Sequence, residues 1–234
     1  MNKIQCVIYD LDDTLYDFID LHPLATEALA DRARDMLGAD REEFLRIYGR
    51  SYEDLGHVLG EDKIVGTCHS RTLRLTYTLE RMGLPLFPAV QELYHVYWDY
   101  ILDRMEPMPY IKEVMETLKE KGIRVGIGTN MTAMMQYKKL SRLGLGKYID
   151  FMVTSEESVF DKPDRAFFDL VLAKAGCPGE NCLFIGDNLE LDALGSREAG
   201  LLGLWYDPEE KWTAASPLAE EHVIRDHREI LFRL

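Results

Sequence analysis

Asp10 and Asp12 are separated by a single residue, and Thr14 follows two positions later. Two carboxylates so close repel each other unless a cation or an uneven sharing of protons relieves them. The pair is therefore a candidate metal site and, equally, a candidate nucleophile with an acid/base partner. Alone it is weak, because strand-end aspartates often cap helices or shape turns. Three further stretches strengthen it: Thr129-Asn130, Lys162-Pro163, and Gly186-Asp187 running on to Asp192. Together they offer acids, a hydroxyl, an amide and an ammonium. That set suits phosphoryl transfer, since a divalent cation and a lysine would offset the repulsion between a phosphate and an attacking carboxylate. Oxygen ligands without His or Cys point to Mg²⁺, with Asp10 and Asp187 as ligands. The Thr129 hydroxyl and backbone N–H groups at a helix start would hold phosphoryl oxygens.

These groups meet only if the chain folds in a particular way. Cys6 to Tyr9 read as a buried strand ending at Asp10. From about 22 to 105 the pattern is helical: 22–37, a second helix opening at Asp40-Arg41-Glu42-Glu43, then 61–82 and 88–105, with Gly83-Leu84-Pro85 as a breaker. Glu106-Pro107-Met108-Pro109 marks the internal boundary. Beyond it helices and strands alternate. Strands are expected at 123–128, 151–154, 182–185 and 201–206, with 223–224 as a candidate for a last one. Helices are expected around 111–118, 133–144, 168–175 and 189–199, and after the last strand. Such alternation implies a doubly wound, mainly parallel, Rossmann-like α/β sheet. Its strand ends would gather Asp10, Asp12, Thr129, Lys162 and Asp187 at one edge. The helical block interrupts that sheet, so the expected organisation is a core of 1–15 and 107–234 with an all-helical cap of 16–106 above the carboxylates.

Composition narrows the function classes. The 234 residues are 47% hydrophobic and 29% charged, an ordinary globular balance. A net charge of −14 argues against nucleic-acid polymers and anionic membranes as partners. Neither a secretion signal nor a membrane-length apolar run is evident, so the expectation is a cytoplasmic monomer or homodimer acting on a small phosphorylated metabolite. Cys6, Cys68, Cys177 and Cys182 lack zinc spacing, and Cys6 and Cys182 read as buried reduced thiols.

Taken together, D-x-D-x-T at 10–14, Thr129 after an apolar strand, Lys162-Pro163 and G-D-x₄-D at 186–192 resemble the haloacid dehalogenase superfamily. The resemblance spans about residues 4–15 and 107–206, and the insert resembles the cap of its small-molecule phosphatases. It implies that Asp10 is the nucleophile forming an aspartyl-phosphate. Asp12 is then the acid for the leaving alkoxide and the base for water, its backbone carbonyl also a Mg²⁺ ligand. By the same resemblance Thr129, with Asn130, binds phosphate, and Lys162 bridges nucleophile and phosphoryl oxygens. Asp187 holds the metal, and Asp192 orients the metal shell or the lysine. An acid at position 12 matches the phosphatases, because the true dehalogenases lack one there.

A finer similarity runs through Gln136, Lys139-Leu140, Gly144-Leu145, Tyr148, Asp150 and Ser155-Glu156-Glu157 to the pyrimidine 5′-nucleotidase branch. Met131, where that branch commonly has glycine, and Asp161 depart from it. Nucleoside 5′-monophosphates are thus first among expected substrates, with phosphoglycolate, sugar phosphates or mutase chemistry behind them. A non-enzymatic phosphoacceptor module is a further reading, opposed by the insert and by Asp10 lying on the first strand. Asp13 reads as a solvated or capping neighbour. Tyr16 and Phe18 border the substrate, pack, or form a hinge. Arg71, Arg74 and Arg81 share a helical face that could meet an anionic substrate but is expected to be solvated. Tyr94, Tyr97, Trp98 and Tyr100 read as cap core or a self-association surface.

Overall fold

The computed structural model describes residues 3–58 and 70–234. Two compact units emerge: Met1–Asp17 with Glu106–Leu234, and Phe18–Met105.

The first unit is built on six parallel strands. They are β1 (Cys6–Tyr9), β2 (Arg124–Thr129), β3 (Phe151–Thr154), β4 (Cys182–Gly186), β5 (Leu202–Tyr206) and β6 (Val223–Ile224), in the order β3-β2-β1-β4-β5-β6. This is the doubly wound order in which the chain reverses direction beside β1, and ligands bind at that crevice. In β1 the register Tyr9↔Ile127 and Tyr9↔Ile185 brings the ends of β2 and β4 level with Asp10. β1 is buried throughout because both its faces are covered. Cys6 and Ile8 pack with Phe167, Phe168 and Val171, while Tyr9, pointing the other way, meets His227 with ring centres 6.0 Å apart.

Helices α5 (Ile111–Glu120), α6 (Ala133–Leu143), the single turn α7 (Ser155–Ser158), α8 (Arg165–Ala175) and the short α9 (Gly195–Glu198) connect the strands of this unit. The apolar stripe Ile111, Val114, Met115 and Leu118 buries α5. Cys6 and Cys182 are buried free thiols, whereas Cys68 lies outside the described residues.

The helix expected over 189–199 is instead a π-helical stretch, Leu189–Leu194, continued by α9. Asn188 explains the difference. Its side chain accepts from the Glu190 and Leu191 amides, while its carbonyl accepts from both Asp192 at 2.9 Å and Ala193 at 3.4 Å. The widened turn tucks Asp192 against Gly186, where any Cβ would overlap its carboxyl group. The C-terminal helix is likewise a 3₁₀ run, His227–Arg233, opened by a capping box of Asp226 and Glu229.

The second unit comprises α1 (Phe18–Leu37), α2 (Arg41–Val58), α3 (Arg71–Arg81) and α4 (Ala89–Arg104), with α1 packed on α4 and α2 on α3. α1 begins a turn before His22 and carries Pro23 inside it. The third helix begins at Arg71, capped by Ser70, and the 61–69 part of the expected helix lies outside the described residues.

Arg71 and Arg74 correct the expectation of a solvated stripe, since both are buried. Arg71 donates to Tyr97 OH at 3.0 Å with its guanidinium 4.8 Å from that ring centre. Arg74 donates to Ser51 Oγ at 2.8 Å and to the Tyr48 carbonyl at 2.9 Å, lying 4.4 Å over the Tyr48 ring. A guanidinium is weakly hydrated and stacks on aromatic faces, so it can be withdrawn from water where an ammonium would resist. Arg81 alone of the three is exposed, over Tyr77. Tyr97 and Trp98 form the unit's interior with ring centres 5.0 Å apart, while Tyr94 and Tyr100 are half-buried.

Candidate active site

Asp10 leaves β1 with its amide bonded to the Ile185 carbonyl at 2.8 Å, which fixes it at the β1–β4 edge. The chain then turns tightly, with Asp13 at φ 58, and Thr14 returns toward β4. The Thr14 hydroxyl donates to Asp187 Oδ1 at 3.2 Å and accepts from the Asp187 amide at 3.0 Å. Thr14 thereby ties the first motif to the last. Trp205 Nε1 holds the Asp187 carbonyl at 2.8 Å from the neighbouring strand.

Carboxylate oxygens of Asp10, Asp187 and Asp192 lie within 4.8 Å of one another. Into this group comes the Lys162 ammonium, 2.7 Å from Asp10 Oδ1 and 2.6 Å from Asp192 Oδ1. The second Asp192 oxygen accepts from the Asn188 amide at 3.0 Å. The lysine loop is held by Asn130, whose Oδ1 accepts from the Lys162 amide at 2.8 Å and whose Nδ2 donates to the Lys162 carbonyl at 3.3 Å. Both ends of the Asn130 amide are thus engaged by the Lys162 backbone, and Asn130 serves as a strut beneath the lysine.

The electrostatics follow from this crowding. Burial pushes the Asp10 carboxyl well above its ordinary range; Lys162 opposes that push, and Asp192 and Asp187 add to it. Asp187 is raised to about 7 by burial and then by Asp192 and Asp13. Burial alone would discharge Lys162, but Asp10 and Asp192 outweigh it and hold the ammonium charged. Three acids facing one lysine leave an excess of negative charge. Hard oxygen donors with that excess fit a divalent cation such as Mg²⁺. Asp10 and Asp187 would hold it. It would supply positive charge beside a phosphoryl group.

Asp12 has a separate environment. Lys139 Nζ donates to its Oδ1 at 2.6 Å, the Tyr16 hydroxyl donates to the same oxygen, and Gln136 Nε2 lies 3.2 Å from Oδ2. Burial raises this carboxyl, but the Lys139 charge and the three hydrogen bonds prevail and hold it below the usual range. Two neighbouring aspartates are therefore pushed apart in acidity: Asp12 is held toward the carboxylate, and Asp10, without a divalent cation beside it, is pushed toward the acid. Thr129, buried at the end of β2, accepts from Gln136 Nε2 at 2.7 Å.

The residues of the four strand-end motifs lie in this network: Asp10, Asp187, Asp192 and Lys162 in one cluster, Asp12 and Thr129 in the adjoining one, and Asn130 supporting the lysine. Lys139, Gln136 and Tyr16 were not foreseen in these places. The signal was present in α6, where Gln136 and Lys139 sit in the same helical stripe as Met135, Leu140 and Leu143. A glutamine and a lysine on the buried face of a helix need polar partners.

Known proteins resemble this chain in sequence and in fold. Residues 4–200 match the family model for haloacid dehalogenase-like hydrolases. The chain is 33% identical to a ribulose-1,5-bisphosphate 5-phosphatase of Halopiger xanaduensis, covering 88% of this chain and 85% of the relative. It is 26% identical to the pyrimidine 5′-nucleotidase PynA of Streptococcus pneumoniae, over 94% and 92% of the two chains. Among solved structures, a 2-haloacid dehalogenase from Pseudomonas syringae superposes with a TM-score of 0.77 at 25% identity, covering 98% of this chain and 99% of that one. With the doubly wound sheet, the four strand-end motifs and these matches in hand, the chain belongs to the haloacid dehalogenase-like hydrolase family.

Proposed function

We propose that the protein is a Mg²⁺-dependent phosphomonoester hydrolase of small phosphorylated metabolites, working through an aspartyl-phosphate on Asp10. The class of enzyme, a phosphoric monoester hydrolase, follows from the family and from its phosphatase relatives. The observation that carries the mechanism is the Lys162 ammonium lodged between Asp10 and Asp192 beside Asp187. It gives a carboxylate nucleophile the positive surroundings it needs to approach a phosphate.

The reaction proceeds in two displacements. An Asp10 carboxylate oxygen bonds to phosphorus, and the ester P–O bond breaks with its electron pair staying on the leaving oxygen. That oxygen takes a proton from the Asp12 carboxyl group, which the negative charge of the arriving phosphate protonates against the pull of Lys139. Water then attacks phosphorus while Asp12, now a carboxylate, takes its proton. The bond from phosphorus to Asp10 breaks, and phosphate leaves with Asp10 regenerated. Lys162 fixes Asp10 throughout, Asp192 fixes Lys162, and Thr129 holds a phosphoryl oxygen. Mg²⁺ on Asp10, Asp187 and the Asp12 carbonyl would neutralise phosphoryl charge.

For the substrate, the relative at 33% identity is named for a sugar bisphosphate and the nucleotidase relative stands at 26%. That balance supports sugar phosphates ahead of nucleoside 5′-monophosphates, reversing the order the motifs alone suggest. The test is phosphate release across sugar phosphates, nucleoside monophosphates and phosphoglycolate, with Mg²⁺ and with EDTA. Asp10→Asn is expected to cut turnover of p-nitrophenyl phosphate at least about 10⁴-fold. Unchanged turnover in that variant would refute the mechanism.

A further inference from the structure

Asp12 is gripped by residues to which the phosphatase reading gives no task. Lys139 Nζ and the Tyr16 hydroxyl both donate to Oδ1, the lysine at 2.6 Å, whereas among the described residues Oδ2 receives the longer bond from Gln136, 3.2 Å. Gln136 Nε2 also reaches Thr129 Oγ1 at 2.7 Å, so one amide links the acid/base carboxylate to the phosphate-holding hydroxyl. The Lys139 side chain is only 1% exposed, with its ammonium 5.6 Å from the Tyr16 ring centre. Burying an ammonium this deeply is costly unless a partner offsets it. An aliphatic side chain would satisfy the α6 stripe of Met135, Leu140 and Leu143 without that cost. The lysine is explained by the carboxylate it holds.

We infer, building on the phosphatase reading, that Lys139 is a positioning residue for proton transfer: it pins Asp12 Oδ1, with Tyr16, so that Oδ2 is the atom exchanging protons with the substrate. Oδ1 is occupied by two donors, and Oδ2 keeps a lone-pair direction open. In the first displacement the proton passes from Oδ2 to the ester oxygen as the P–O bond breaks and its electron pair remains on that oxygen. In the second, the same Oδ2 takes a proton from water as the water oxygen bonds to phosphorus and the Asp10–phosphorus bond breaks. Gln136 sets the plane of the carboxyl relative to Thr129, and hence to the phosphoryl group. The charge matters less here than the geometry: an Asp12 free to rotate would present Oδ2 only part of the time.

Leaving groups separate this role from a structural one. A dinitrophenolate departs without a proton, whereas a sugar alkoxide needs one. The full-length protein, its Lys139→Met, Lys139→Arg and Gln136→Leu variants, and Asp12→Asn as reference are assayed with Mg²⁺ on two esters. One is 2,4-dinitrophenyl phosphate, and the other is the sugar phosphate that the parent protein turns over fastest. In Lys139→Met, leaving-group release in a single turnover, before the water step that both esters share, is expected to slow about 100-fold on the sugar phosphate with KM within about threefold, against a loss below about fivefold on the dinitrophenyl ester. Gln136→Leu should show the same split at smaller size, Asp12→Asn at larger size, and Lys139→Arg should recover part of the sugar-phosphate rate. Equal losses on both esters, an unchanged rate, or a raised KM at constant kcat would each overturn the assignment. Should Lys139→Met fail to fold by circular dichroism, the Lys139→Arg and Gln136→Leu pair decides by the same split. Parent protein inactive on both esters, or an active Asp10→Asn, would instead strike the phosphatase reading and leave the lysine a structural residue.

Discussion

The two units bury positive charge by different means. In the sheet unit Lys162 and Lys139 are ammonium groups seated on carboxylates, at 2.7 and 2.6 Å for Lys162 and 2.6 Å for Lys139. In the helical unit Arg71 and Arg74 are guanidinium groups laid over tyrosine rings, with a phenol, a serine hydroxyl and a backbone carbonyl among their acceptors. An ammonium is strongly hydrated and demands a full counter-charge when buried, whereas a delocalised guanidinium tolerates neutral acceptors and aromatic faces. The first arrangement can do chemistry, because its acids outnumber its ammonium groups and leave charge for a cation to meet. The second builds an interior.

The largest expected effect tests this contrast through stability. Lys162→Met leaves Asp10 and Asp192 facing each other without their cation, which should cost about 3–5 kcal/mol in metal-free buffer. Arg74→Met should cost much less, about 0–2 kcal/mol, since Ser51 Oγ already donates to the Tyr48 carbonyl at 2.5 Å and those acceptors keep a partner. Chemical denaturation of both variants in EDTA reads the difference. An Arg74→Met loss as large as that of Lys162→Met would erase the distinction between the two regions.

The next effect concerns metal and protons. Asp187 is raised to about 7, so below that pH a proton occupies a position Mg²⁺ would need. For one such proton, apparent Mg²⁺ affinity should fall about tenfold from pH 8 to pH 6, measured by calorimetry or by Mg²⁺ dependence of turnover. The sign for the metal-free protein is the reverse of the usual carboxylate case. A folded value above the unfolded one means that the contribution of Asp187 to stability is present below pH of about 4 and is lost as pH rises through about 7. Asp187→Asn should remove that slope and weaken Mg²⁺ at every pH. A flat Mg²⁺ affinity between pH 6 and 8 would mean the acids carry no shared proton.

Much of the site was legible in the chain because it is made by strand ends. Apolar runs at 6–9, 123–128 and 182–185 mark where Asp10, Thr129 and Asp187 emerge, and a parallel sheet gathers those ends on one edge. What escaped detection depends on helix phase and turn geometry. Lys139 and Gln136 were visible as residues, yet their contact with Asp12 needs α6 to present that stripe inward. The π turn at Leu189–Leu194 arises from Asn188 bonding, and nothing in 3.6-residue periodicity announces it. Arg71 and Arg74 looked like a solvated stripe because charge suggests exposure; the aromatic faces that receive them lie on α2 and α4, far away in sequence. Asn130 was grouped with the phosphate ligands through its place beside Thr129, while its amide is engaged by Lys162 thirty-two residues on.

The smallest effect turns the comparison into opposite responses to acid. His22, bonded through Nδ1 to Tyr97 OH at 2.7 Å, is lowered to about 4 by burial, then by Arg71 and Arg74. In the unfolded chain it would titrate near about 6.5. A folded value below the unfolded one makes protonation oppose folding, so the stability contribution is present above about 6.5 and is lost as pH falls toward 4. Acid therefore weakens the helical unit at His22 across much of the range in which it relieves Asp187 in the sheet unit. Ring resonances followed by NMR should place His22 near 4, with Arg71→Met or Arg74→Met moving it upward, and His22→Gln should flatten the acid sensitivity of the helical unit. The shift in the arginine variants needs a control, because loss of a cation raises the value and any opening of the interior to water raises it as well. Keeping Tyr97 buried, as judged by fluorescence quenching, separates the two. A His22 that titrates near about 6.5 in the parent protein would show that neither burial nor the guanidinium charges lower it, and the helical unit's interior would then be electrostatically quiet.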